Sequence, residues 1–359
     1  MYNRVIKAAT FECMAGRDGV PTDELARFHG RNAAGGVGMT VVAYASVSND
    51  GRSFPTQICL NSGDPGTDLR TEVALRKLCC DVHATRNGAL AALQLTHAGA
   101  FADATFNGGR PARGPSAILN PLTLKHSISL DNDSAALERI EEDFVKAVDF
   151  CRKVGFDAIE VHLGHGYLLS QFLSAATNPN KSAADRLVFP LRVLKAVCTR
   201  AHTGDKYIAV LVKFNVSELR ESDLSLDDAR LFARAFADAG ADLLVPSGGH
   251  VMVNGLHMLR GGRPLREMAA AQNQRFKSWV ISLFGKYFVK KEEFREAFFR
   301  ERVISVMLGA GVAMSKVCLV GGVHELKTAD CAVRQDGFLS VQLGRVLLAD
   351  PDWCLKVGA

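Results

Sequence analysis

Ala158-Ile159-Glu160-Val161-His162-Leu163-Gly164-His165-Gly166-Tyr167-Leu168-Leu169-Ser170-Gln171-Phe172-Leu173-Ser174 is a short apolar run that opens into a polar, glycine-broken turn. Its first six residues have the length and β-branching of a strand buried on both faces. Immediately upstream, Ala135 to Val154 repeats apolar residues at helical spacing, with Ile140, Phe144, Val148 and Cys151 on one face. Ser134 is the expected N-cap, Glu138, Glu141 and Glu142 suit the positive helix end, and Gly155 stops the helix before the strand. Helix, glycine and doubly buried strand together make the repeating unit of a parallel sheet covered by helices.

Working outward, the same kind of strand recurs at Val5 to Ala9, Gly38 to Val47, Ala89 to Leu95, Ile208 to Asn215, Asp242 to Ser247, Val317 to Gly321 and Phe338 to Leu343. With the run above this gives eight, mostly separated by one amphipathic helix. The alternation continues through 359 residues with no break in composition. It implies one closed or doubly wound parallel sheet, and a count of eight favours the closed form: an α/β fold of (β/α)8 TIM-barrel type, a single domain over residues 1–359. One long interruption follows the sixth strand, an insertion over 249–294 containing Leu259-Arg260-Gly261-Gly262-Arg263 and a polar helix-like stretch, Gln272 to Ser278. An insertion at a strand's C-terminal end is where barrels carry substrate loops or lids.

Hydrophobic residues make up 48% of the chain and charged residues 23%, an ordinary balance for a globular protein. The formal charge of +5 comes from 43 basic and 38 acidic residues that are interspersed, so neither a nucleic-acid nor a membrane partner is expected. Nine cysteines, none in C-x-x-C spacing, fit reduced thiols, and MYNRVIKAAT has no apolar core of signal-peptide length. A cytoplasmic location is the expectation.

In a barrel the C-terminal ends of the strands point into the active site, so His162, His165 and Tyr167 would enter it together. Two imidazole N–H groups can polarise a carbonyl or hold an oxyanion, and a phenol beside them can supply a proton. Two other readings of these residues stay open at this level, packed histidines satisfied by the backbone and an H-x-x-H metal site. Lys213, inside the apolar strand Val210-Leu211-Val212-Lys213-Phe214-Asn215, is costly to bury unpaired and could also be a Schiff-base nucleophile of aldolase type.

The run from His162 to Ser174 closely resembles the H-x-x-H-G-Y-L-x-x-Q-F-L-S signature of the old yellow enzyme family of flavin oxidoreductases. Further matches lie in the same order along nearly the whole chain: Asn3 to Thr10, Gly35-Gly36-Val37-Gly38-Met39, Leu93 to Gly99, Ser247-Gly248-Gly249, Leu259-Arg260-Gly261, Gly321-Gly322 and Leu343 to Pro351. The resemblance implies an FMN enzyme reduced by NADH or NADPH, which leaves before a small-molecule electron acceptor such as an enone or quinone binds over the same flavin face. It assigns His162 and His165 to the acceptor's carbonyl oxygen and Tyr167 to proton donation. It places Gly321, Gly322, Gly344 and Arg345 at the phosphate, Gln94 at the pyrimidine edge and Lys213 near N1 and C2=O. Ala8, Ala9, Thr10 and Ala43 would line the ring. The family's cofactor needs fit these residue types: backbone N–H groups and a cation for the phosphate, a donor–acceptor amide for the ring edge.

The chain departs from the family pattern in two places. After Thr177-Asn178 the usual R-x-D-x-Y-G-G stretch is replaced by Pro179-Asn180-Lys181-Ser182-Ala183-Ala184-Asp185-Arg186, and a position often held by a redox-tuning Cys or Thr is Phe11. The first leaves open a flavin-binding protein with little turnover. The chain begins almost at its first strand and ends just after Trp353 with no cluster-bearing extension, which disfavours the long dienoyl-CoA reductases as a guide; a homo-oligomer remains open.

Overall fold

The computed structural model describes residues 1–120, 125–218, 220–251, 257, 260–261 and 292–358. Eight parallel strands form one sheet: β1 (Val5–Lys7), β2 (Met39–Ser46), β3 (Leu90–Thr96), β4 (Ala158–Leu163), β5 (Ala209–Ser217), β6 (Leu243–Gly248), β7 (Cys318–Val320) and β8 (Ser340–Leu343). Their order is β6-β5-β4-β3-β2-β1-β8-β7, and the two ends meet through a parallel bridge between Leu244 and Val317. The sheet therefore closes, as expected for a (β/α)8 barrel, and each expected strand is present with its bounds moved by a few residues.

Helices α1 (Asp23–Ala34), α2 (Pro65–His83), α3 (Ser134–Val154), α4 (Leu168–Leu173), α5 (Ala183–His202), α6 (Leu226–Asp238), α7 (Arg300–Ala310), α8 (Leu326–Arg334), α9 (Arg345–Ala349) and α10 (Trp353–Val357) follow the strands. The N-cap of α3 differs from expectation. Asp133, not Ser134, accepts the Ala136 N–H, because an ionised carboxylate is the stronger acceptor at a positive helix end. Gly155 closes the helix in the left-handed region, as read from the sequence. Most of the 249–294 insertion, including Gln272 to Ser278, lies outside the described residues.

Alternation along the strands sorts the core into two parts. Ile159, Val161 and Leu163 of β4, with Val210, Val212 and Phe214 of β5, face the helices in the larger apolar cluster. The opposite face turns into the barrel, where Ile6, Met39, Val41, Ala92, Ala158, Leu211, Leu243 and Val245 pack in the lower part. One step further along the strands the inward positions become polar: Gln94, Glu160, Lys213 and Gln342, all buried. The change from an apolar to a polar layer marks the floor of the site, at the C-terminal mouth of the barrel.

Candidate active site

The turn after β4 builds the candidate catalytic face. His165 has φ 62° and Gly166 φ 82°, both in the left-handed region, so the chain reverses sharply between them. For a histidine this backbone costs energy, of order 1–3 kcal/mol, and needs outside support. Asn215 at the end of β5 provides it: its Oδ1 accepts the His165 N–H at 3.0 Å, and its Nδ2 donates to Gly249 O and to Glu218 Oε1. Gly166 has a second requirement, since a Cβ there would lie 2.5 Å from the His250 ring. Gln171, the glutamine of the signature, ties this turn to the loop after β3 by donating to Ala98 O and Gly166 O and accepting from Ala100 N–H.

These constraints bring the three expected catalytic groups together. The His162 and His165 rings stand 4.9 Å apart at 90°, and the Tyr167 ring lies 4.8 Å from His162. The Gly164 N–H can only donate, so its contact with His162 Nδ1 at 3.3 Å places the ring proton on Nε2. His165 Nε2 is 2.8 Å from the Ser247 hydroxyl. Burial, reinforced by His165 and Lys213, drives the His162 pKa far below that of a free imidazole; burial, with Lys213 and His250, takes His165 to about 3. Burial pushes the Tyr167 phenol up to about 12. All three are thus neutral hydrogen-bonding groups near pH 7. Neither histidine belongs to a group of three or more His, Cys, Asp or Glu that could hold a metal ion, among the described residues.

Beside this face is a pocket lined by Ala8, Ala9, Thr10, His165, Lys213, Ser247, Gly321, Gly322, Gly344 and Arg345, with Gln342 and His324. Nine of the expected site residues therefore share one cavity. The other four surround it: His162 and Tyr167 in the catalytic face, Gln94 through Glu160, and Ala43 in a cluster with Tyr44, Phe101 and Tyr167. Gly321 and Gly322 have φ 109° and 76°, and a Cβ on either would strike Phe298 or Phe299, so packing alone already demands glycine there. Arg345 donates to Arg260 O at 2.9 Å and has no carboxylate partner among the described residues. Burial lowers its pKa, the sign of a cation short of counter-charge.

Two buried charge clusters were not anticipated from the sequence. Inside the barrel, Glu160 accepts from Gln94 Nε2 at 2.7 Å, Lys213 Nζ at 2.9 Å and Gln342 Nε2 at 2.9 Å. Lys213 is therefore engaged in an ion pair and is not presented as the free amine that Schiff-base chemistry uses. Outside the barrel, between β1 and α1, fully buried Lys7 donates to Glu12 at 2.7 Å and Thr10 at 2.9 Å, while Glu12 also accepts the Ala43 N–H at 3.2 Å. That cluster fastens the loop carrying Thr10 to β2 at Ala43. The available signal was the one applied to Lys213, a charged residue in an otherwise apolar strand, present equally in Val5-Ile6-Lys7 and Ala158-Ile159-Glu160-Val161.

The fold defines the class, a closed (β/α)8 barrel, with neutral donors on one side of its mouth and, among the described residues, an arginine without a carboxylate partner on the other. The chain belongs to the NADH:flavin oxidoreductase / NADH oxidase family, whose profile it matches over residues 1–255. It is 35% identical to the 4,4'-dithiodibutanoate disulfide reductase of Rhodococcus erythropolis, over 100% of this chain and 85% of that protein. It is 27% identical to the NADH:acrylate oxidoreductase of Vibrio harveyi, over 99% of this chain but only 32% of that protein. An old yellow enzyme homologue from Zymomonas mobilis has the same fold, with a TM-score of 0.70 and 19% identity, covering 99% of this chain and 88% of that one.

FMN is accordingly the cofactor and NAD(P)H the reductant. The residues present fit that group on a structural test. Gln342 and Lys213 both line the pocket, and Gln342 Oε1 is buried with no hydrogen-bond partner among the described residues. An orphaned acceptor and a cation together complement an isoalloxazine edge, which carries both an N–H donor and carbonyl acceptors. Arg345, with no carboxylate partner among the described residues, suits a phosphate. No helix among the described residues is long and apolar enough to cross a membrane.

Proposed function

We propose that this FMN- and NAD(P)H-dependent oxidoreductase reduces the C=C bond of α,β-unsaturated carbonyl compounds, with residues 1–359 acting as one catalytic unit. Bound FMN, recharged by NAD(P)H, supplies the hydride. The chain's own task is to hold the carbonyl oxygen, polarise the conjugated system and deliver a proton. His162 Nε2–H and the His165 ring donate to the oxygen, and the Tyr167 phenol protonates the α-carbon. Hydride and proton together account for the two hydrogens added.

The observation that carries this reading is the convergence of the three buried groups, with the His162 and His165 rings 4.9 Å apart and the Tyr167 ring 4.8 Å from His162, in surroundings that favour their neutral forms. A neutral imidazole stabilises negative charge that develops on oxygen without giving up its proton, and a phenol still protonated at pH 7 is available as the acid. A disulfide is a second acceptor class, favoured by the 35% identity to a disulfide reductase along the whole chain. There, hydride would go to one sulfur while Tyr167 protonates the departing thiolate.

The deciding experiment is anaerobic. Holoenzyme bleached by NADH or NADPH is mixed with 2-cyclohexen-1-one or with an aliphatic disulfide, and return of the oxidised flavin absorbance is timed. Faster reoxidation by the enone, slowed in Tyr167→Phe, is the expected result. Reoxidation only by the disulfide would overturn the enone assignment, and a flavoprotein that neither nucleotide bleaches would be a flavin-binding protein without this turnover.

A further inference from the structure

We propose that Glu160 is a positioning residue that turns the Gln342 carbonyl toward the cofactor, making Gln342 a flavin-binding residue, and that it offsets the Lys213 charge to set how easily the flavin is reduced. The proposal rests on the FMN assignment above and concerns three residues on three strands of the barrel floor.

A carboxylate has only acceptors. Facing Glu160 at 2.9 Å, the Gln342 side chain must therefore present its NH2 group inward, which leaves Oε1 on the other side. That oxygen is buried with no hydrogen-bond partner among the described residues, and Gln342 is one of the residues that line the cofactor pocket. Leaving it unmet is costly, and a ligand N–H would recover that cost on binding. Gln94 is held by the same logic, donating to Glu160 Oε1 at 2.7 Å. Glu160 thus fixes the orientation of two amides that could otherwise flip and match nothing in particular.

The electrostatic half follows from Lys213 Nζ at 2.9 Å from the same Oε1, with both side chains almost wholly buried. Toward the pocket the pair acts as a dipole, with the ammonium on the lining and the carboxylate behind it. A lone buried ammonium would stabilise anionic reduced flavin strongly; one backed by a carboxylate does so less. The chain therefore holds its flavin at a lower potential than Lys213 alone would set.

Two measurements test this on purified holoenzyme and the apoprotein made from it. In spectroelectrochemical titration, Glu160→Gln is expected to shift the flavin midpoint potential to more positive values and Lys213→Met to shift it to more negative ones. In fluorescence titration of apoprotein, Gln342→Leu is expected to weaken FMN about tenfold and to lose the wild-type preference for FMN over 3-methyl-FMN, which lacks the ring N–H. The second variant keeps the proposal testable should Glu160→Gln fail to fold. A flavin-loaded Glu160→Gln with wild-type potential, or a Gln342→Leu that still discriminates against the methylated analogue, overturns the assignment while leaving FMN binding intact. Wild-type protein that takes up no FMN would overturn the cofactor assignment and this proposal with it.

Discussion

Replacing Glu218 by Gln should stabilise the protein in alkaline but not in acidic solution. Glu218 follows β5 and is buried; it accepts from Ser174 Oγ at 2.6 Å and from Asn215 Nδ2 at 3.1 Å. Burial outweighs both hydrogen bonds and raises its pKa from 4.5 to about 7. The folded protein thus keeps a proton that the unfolded chain gives up, so stability falls as pH rises from about 4.5 to about 7. At 1.36 kcal/mol per pKa unit the loss is about 3 kcal/mol. The substituted side chain would be neutral at every pH, and its amide can still meet Ser174 and Asn215. For a chain of this length, with unfolding entropy near 2.1 cal/mol/K per residue, that energy corresponds to roughly 4 °C in melting temperature. Thermal melts of wild type and Glu218→Gln at about pH 4 and about pH 8.5, on either side of this window, should show a gap at the higher pH that nearly closes at the lower one. A gap of the same size at both pH values would refute the reasoning, because a packing change carries no proton.

Tyr167→Phe should slow reoxidation of reduced enzyme by an enone on the order of a hundredfold or more, with bleaching by NAD(P)H little changed, as rapid-mixing absorbance would show. With His165 at about 3 and Tyr167 at about 12, the wild-type reoxidation rate should stay flat from about pH 5 to about pH 10; a break near pH 6.5 would mean that a histidine titrates. Arg345→Ala should weaken FMN roughly 10- to 100-fold in equilibrium dialysis, the worth of hydrogen bonds to a charged group. Glu12→Gln leaves Lys7 buried without its counter-charge, which should cost about 3–5 kcal/mol and lower the melting temperature by several degrees.

The barrel was legible because its strands carry two signals at once. Apolar β-branched runs such as Val210 to Phe214 fix where the strands lie, and the glycines and polar residues after them fix which end is the mouth. His162, His165 and Tyr167 were legible for the same reason, standing where one strand runs out. Glu160 and Gln342 were not, because each makes sense only against residues on other strands, 66 and 182 positions away in the case of Glu160. Asp133 displaced Ser134 as the cap of α3 because both can cap, and a one-residue difference lies below what spacing resolves.

Lys213 shows how much hangs on that limit. Its sequence context says only that a buried ammonium needs compensation, and an incoming flavin, a substrate carbonyl or a protein carboxylate would each serve. Glu160 decides the matter, and it also decides the character of the site. Its charge is compensated by Lys213 and by two amide donors, so ionised groups persist on the barrel floor at little net field. Further along the same two strands no such carboxylate faces His162 or His165 among the described residues, and burial there suppresses their charge instead. Equal burial thus gives opposite outcomes in two successive layers: paired ions on the barrel floor, neutral donors at its mouth. Donors that begin neutral gain most when the acceptor's oxygen becomes negative, which is the condition for stabilising the transition state more than the bound substrate.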